Sequence, residues 1–131
     1  MNPKTFGELT EAIVLAELLR RGYAMSLPFG EQRYDFIADT DGALCRLQCK
    51  TGWLRNGAIT FNACSESGQR GAYSYSDYRG QVDAFIVYCH ETGGLYWVPI
   101  EDATTRKMQL RVDEAKNSQR SRIRWAQDYR I

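Results

Sequence analysis

The pattern of apolar and polar positions divides the chain into one helix followed by a run of strands. Leu9, Ile13, Ala16 and Leu19 recur at helical spacing, and Leu15 and Leu18 widen the stripe. Asn2 suits the N-cap and Pro3 the first helical position. Arg20 and Arg21 complement the dipole of the last turn, and Gly22 ends the helix. Glu8, Glu11, Leu15 and Leu18 fall three, four and three residues apart, so these carboxylates border the buried stripe.

After Gly22 the period changes to that of strands. Residues 23–27 and 34–39 read as the first two, separated by a turn over 29–32. Asp41-Gly42 is a two-residue hairpin signal leading into a strand over 43–51. That strand alternates, with Leu44, Arg46, Gln48 and Lys50 on one face and Cys45, Leu47 and Cys49 on the other. Asn56-Gly57 is a second turn signal, before a strand over 58–63. Residues 65–76, rich in Gly and Ser, read as a long mobile loop. Residues 78–82 fit either a short helix or a turn. Strands are expected over 84–89 and 95–99, a helical turn over 101–103, and an edge strand over 108–112. Residues 117–124 are polar, and Ile123, Trp125, Ala126 and Tyr129 suit a short terminal helix or tail. The expected class is α/β, a central mixed β-sheet flanked by helices, in one domain over residues 1–131.

Composition narrows the class. Hydrophobic residues make up 44% and charged residues 25% of the 131, which excludes a disordered chain or a coiled coil. No apolar run is long enough for a membrane span and the start lacks a signal-peptide core, so a cytoplasmic protein is expected. Net charge is only +1, yet residues 104–131 hold eight Lys or Arg against three acids, an end suited to phosphates. The four cysteines form no CxxC pair and there is one histidine, His90, so zinc spacing is absent and the thiols read as small core residues.

The chemistry lies on the hairpin. It brings Asp35 beside Gln48, and the strand period places Lys50 on the same face as Gln48. An acid inside the Tyr34–Ile37 stretch is costly unless it is paired or binds metal. Hard oxygen ligands from Asp35, Gln48 and a helical Glu11 suit Mg²⁺, with Glu8 as the alternative helical acid. A metal-bound water is then the nucleophile, and Lys50 orients it or stabilises charge on phosphate oxygens.

In the order helix-Glu, strand-Asp, hairpin, Gln-x-Lys the chain resembles the PD-(D/E)XK nuclease superfamily. Gly7-Glu8-Leu9-Thr10-Glu11 and Leu18-Leu19-Arg20-Arg21-Gly22-Tyr23 look like the opening of archaeal Holliday-junction resolvases. Four other stretches are similar to the small bacterial homing endonucleases of group I introns. These are Pro28-Phe29-Gly30 with Arg33-Tyr34-Asp35, Leu47-Gln48-Cys49-Lys50-Thr51-Gly52, Tyr78-Arg79-Gly80-Gln81-Val82-Asp83 and Ile123-Arg124-Trp125-Ala126-Gln127-Asp128-Tyr129. Gln48 stands where the superfamily usually has Asp or Glu; the homing branch shares this Gln.

The resemblance implies a restriction-endonuclease-like core and Mg²⁺-dependent hydrolysis of double-stranded DNA, with Mn²⁺ as a substitute. It implies Lys50, Gln48, Asp35 and Glu11 as catalytic, and Asp35, Glu11 and Gln48 as metal ligands. Arg55, Arg70, Tyr78 and Arg79 are the expected DNA contacts. Cutting both strands needs two active sites, so a homodimer or homotetramer is expected. A structure-selective junction resolvase and a non-catalytic DNA-binding domain on a decayed nuclease fold are the alternatives.

Overall fold

A computed structural model describes the backbone of residues 1–69, 72–113 and 123–131, with side chains for all of these except 66–69 and 72–73. Helix α1 spans Pro3–Arg20. The Asn2 side chain accepts from Thr5 N at 2.8 Å, the expected N-cap, and Gly22 leaves the helix at φ 90°. The face that α1 buries is not the one that spacing suggested. Thr10, Val14 and Leu18 are buried, whereas Leu9 and Leu19 are 38% and 52% exposed. The helix is apolar around much of its circumference, so its docking partners choose the face.

The strands are β1 (Ala24–Ser26), β2 (Phe36–Thr40), β3 (Ala43–Arg55), β4 (Ala58–Asn62), β5 (Cys64–Gln69), β6 (Ala72–Asp77), β7 (Ala84–Cys89), β8 (Gly94–Pro99) and β9 (Lys107–Arg111). Both hairpin signals hold: Asp41 and Gly42, like Asn56 and Gly57, have positive φ at both turn positions, which primed turns require. Long β3 is the spine. Its first part pairs antiparallel with β2 (Phe36↔Leu47 to Thr40↔Ala43). Its middle pairs parallel with β7 (Leu47↔Ala84 to Gly52↔Cys89), and its end pairs antiparallel with β4. Beyond these, β1 joins β2, β8 joins β7 and β9 joins β4. One parallel pair among antiparallel ones makes the sheet mixed.

Two cores lie on the two faces of this sheet. Val14 and Leu18 of α1 cover Phe36, Leu47, Cys49 and Ile86 on one. On the other, Ile59 and Phe61 of β4 and Met108 and Leu110 of β9 pack with Phe85 and Val87. A Cβ at Gly52 would stand 2.6 Å from Ile59 Cγ2 and 2.9 Å from Val87 Cγ1, so β3 needs glycine where these side chains meet. The second face is thus covered by strands rather than by the expected second flanking helix. Among the described residues α1 is the only α-helix. The segment 78–82 is a turn, and the described chain end contributes a 3₁₀ turn, Ala126–Asp128, and isolated bridges at Trp125 and Arg130. None of the described helices is long and apolar enough to cross a membrane.

The expected loop over 65–76 is instead a two-stranded ribbon, β5–β6, paired from Cys64↔Asp77 to Gln69↔Ala72. It stands apart from the main sheet. Such a ribbon satisfies its backbone by pairing and needs no apolar face, so it leaves no hydrophobic period in the sequence.

Candidate active site

The site forms where β3 changes neighbours. Asp35 N donates to Leu47 O at 2.8 Å, in line with the start of β2. The next N–H on that edge belongs to Cys49, and it donates to Asp35 Oδ2 at 2.8 Å. The Asp35 carboxylate therefore caps an edge that β2 has not covered, and its position is set by backbone. Asp83 does the same on the opposite edge. It accepts from Arg46 N at 2.7 Å and returns its own N–H to Arg46 O at 2.8 Å. The Arg46 guanidinium pairs with the same carboxylate at 3.1 Å and holds it below the usual range, chiefly by hydrogen bonding.

Helix α1 brings Glu11 into hydrogen-bond contact with Asp35. Burial pushes the Glu11 carboxyl up to about 7, and the Asp35 charge, their shared hydrogen bond and Glu8 add to this. Burial also raises Asp35, against the pull of the Cys49 N–H, Glu11 and Lys50. The two carboxyls behave as one coupled pair that resists a second negative charge. Glu8, the alternative helical acid, acts on Glu11 only through its charge.

Assigned by hydrogen bonding alone, the Gln48 amide turns its nitrogen to Arg33 O at 2.5 Å and to Asp35 Oδ2 at 3.3 Å. Its oxygen would take that place with a cation between Gln48 and Asp35. Lys50 Nζ donates to Tyr78 Oη at 3.1 Å and to Cys64 O at 3.4 Å, and lies 4.6 Å from the Tyr78 ring centroid.

Of the expected DNA contacts, Tyr78 is buried, only 4% exposed, so its contacts are internal. Arg55 and Arg79 are exposed. Arg55 lies 5.6 Å from the Trp53 ring and 3.9 Å from Glu91. Arg70 lies outside the described residues.

Three groups near the site have roles that sequence reasoning did not assign. Arg33 stacks on Tyr78, its Cζ 3.9 Å from the ring centroid. Asp83 caps β3, as described above. His90 joins a part-buried network in which Thr10 Oγ1 meets Thr51 Oγ1 at 2.7 Å and His90 Nε2 at 2.8 Å. Phe6 packs on the His90 ring at 4.4 Å, and burial lowers the His90 pKa. This network pins α1 to β3 one residue from both Glu11 and Lys50. Arg33 sits two residues before Asp35 and Asp83 opens β7, but only pairing partners reveal either role.

The donor set fits a divalent cation. Two part-buried carboxyls face each other and resist a second negative charge, while Lys50 is held by Tyr78 and Cys64. Hard oxygens in this number suit an ion that keeps most of its waters. Among the described residues no three His, Cys, Asp or Glu converge, so protein carboxylates alone do not enclose an ion.

Comparison with known proteins bears on the fold and the family. No curated protein matches the chain. Among solved structures it is similar to that of a bacterial homing endonuclease, I-Ssp6803I, with a TM-score of 0.80 and 23% identity. The match covers 99% of this chain and 89% of the other, and at that identity the likeness is one of fold. A family model described as PD-(D/E)XK endonuclease matches residues 1–131, and the chain belongs to this family.

Proposed function

We propose that this protein is a divalent-metal-dependent DNA endonuclease of the homing type, active as a homodimer or homotetramer on double-stranded DNA in the cytoplasm. The observation that carries the reading is the Asp35 carboxylate, held against Glu11 of α1 by the N–H of Cys49 on the strand that carries Lys50, in a chain of the PD-(D/E)XK endonuclease family. Asp35, Glu11 and, through its amide oxygen, Gln48 are the residues that would hold Mg²⁺ or Mn²⁺. Bound there, the ion supplies an activated water and neutralises charge on the scissile phosphate. Asp35 is held in place by the Cys49 N–H, so its carboxylate needs no reorganisation to serve as a ligand. Lys50 presents a cation to the phosphate oxygens, where preorganised charge counts most. Arg55, Arg79 and Arg70 are proposed to contact the DNA backbone or base edges beside this centre.

The test is nicking of supercoiled plasmid with Mg²⁺ or Mn²⁺, with and without EDTA. Lys50→Ala and Asp35→Asn should each lower the rate by about 10²–10³-fold. Gln48, a neutral amide where the superfamily usually has a carboxylate, favours one other reading, a DNA-binding domain that no longer cuts. Binding of duplex DNA without cutting in either metal would decide for that domain. Preferential cutting of four-way junctions over duplex DNA would identify a junction resolvase.

A further inference from the structure

Among the described residues Lys50 has two hydrogen-bond partners, and both lie at the root of the β5–β6 ribbon. Cys64 O belongs to the first residue of β5, and Tyr78 directly follows Asp77, the last residue of β6. The Tyr78 ring is set edge-on against Phe85, 5.4 Å between centroids at 90°, so its hydroxyl has a fixed direction. Arg33 then ties the root together. Its Nη2 donates to Ser65 Oγ at 3.1 Å and Ser76 O at 3.3 Å. Its Nη1 donates to Ser76 Oγ at 3.2 Å and Gln81 Oε1 at 2.8 Å. The same guanidinium lies over the Tyr78 ring.

We propose that the root of the β5–β6 ribbon is the holder of Lys50, with Tyr78 as a positioning residue and Arg33 as the clamp that fixes Tyr78 to both ribbon strands. The proposal rests on the nuclease reading for its consequence but on geometry for its content. A two-stranded ribbon alone is marginally stable in water, so its root needs such a tie. Once tied, ribbon and lysine move together. Any DNA that shifts the ribbon also shifts the ammonium that faces the phosphate, and a displacement of about 1 Å at such a group can cost on the order of 10²-fold in rate. Tyr78 acts through Lys50 and not on the substrate, because its ring is buried and its hydroxyl is already engaged.

The experiment uses the full chain and the variants Tyr78→Phe and Arg33→Ala, with melting curves to confirm folding. Two readouts separate positioning from mere structure. The first is the single-turnover nicking rate on supercoiled plasmid with Mn²⁺, set against the Kd for the same DNA. Tyr78→Phe keeps the ring and loses the hydroxyl; the rate should fall about tenfold while Kd stays within about twofold. Arg33→Ala should lower the rate similarly. The second is the ¹⁵N signal of the Lys50 ammonium in the metal-free protein, assigned by its absence in Lys50→Arg. It should be visible in the wild type and lost to solvent exchange in Tyr78→Phe. An unchanged rate with a retained ammonium signal in Tyr78→Phe overturns the proposal. So does a weakened Kd with an unchanged rate, which would make Tyr78 and Arg33 direct DNA ligands. If the wild type cuts no DNA at all, the nuclease reading fails and the ammonium signal alone decides the holder: loss in Tyr78→Phe supports it and retention overturns it.

Discussion

Glu11→Gln should make the metal-free protein more stable at alkaline pH and, under the proposed function, abolish metal-dependent cutting. Glu11 lies against Asp35, with Glu8 nearby, and its carboxyl is pushed from 4.5 to about 7. A folded-state pKa above the unfolded one means that folding favours the protonated form. That stability is fully present below 4.5 and is lost as pH rises through 7. At 1.36 kcal/mol per pKa unit the ceiling is about 3.4 kcal/mol. Glu11 is only part-buried, so solvent screening reduces the expected effect to about 1 kcal/mol. Gln keeps the shape and the hydrogen bond to Asp35 without the charge. It should therefore match the wild type near pH 5 and exceed it by about 1 kcal/mol, or about 3–5 °C in Tm, near pH 8. His90 works in the opposite sense. Its lowered pKa gives stability that is present above 6.5 and lost as pH falls through its folded value, but both proteins share it and it cancels in the difference. Urea melts of both proteins at the two pH values provide the assay. A variant less stable than the wild type at pH 8, or a gap that does not change with pH, would refute the strained carboxyl pair and with it the metal assignment.

Other outcomes follow from the same geometry. Addition of Mg²⁺ near pH 8 should raise the Tm of the wild type and not that of Asp35→Asn, because only the folded carboxyl pair gathers the ion; thermal melts check this. Gly52→Ala should destabilise by about 1–3 kcal/mol, since the added methyl meets Ile59 and Val87; denaturant titration reads the loss. Thr10→Val removes the hydroxyl that meets Thr51 and His90, and should cost about 1–3 kcal/mol while weakening Mg²⁺-dependent stabilisation, because α1 carries Glu11. Asp83→Ala leaves Arg46 N without its partner and should cost about 1–3 kcal/mol in a urea melt.

Much of this was legible in the chain. The Asn2 cap, the two Gly-containing hairpin turns and the alternation of β3 each depend on neighbours within a few residues, and all three formed as read. The juxtaposition of Asp35 with Gln48 and Lys50 follows from one hairpin and the strand period, so it too was readable. The ribbon was not, because polar strands that pair only with each other carry no hydrophobic period. Tyr78 read as a DNA contact because an aromatic beside basic residues in a turn looks exposed; its burial comes from packing against Phe85 and under Arg33, contacts that no local period announces.

The sequence by itself determined the opening helix, the two hairpin turns, the alternation of β3 and the presence of an acid and a lysine on adjoining strands, since these are local consequences of backbone preference and periodicity. The tertiary structure decided which face of α1 is buried, that Glu11 rather than Glu8 meets Asp35, and that Lys50 is held by the ribbon root. A helix apolar on most sides can dock in several rotations with similar burial. The hydrogen bonds of Thr10 with Thr51 and His90, and the contact of Glu11 with Asp35, come from residues 24 to 80 positions apart and select one of them.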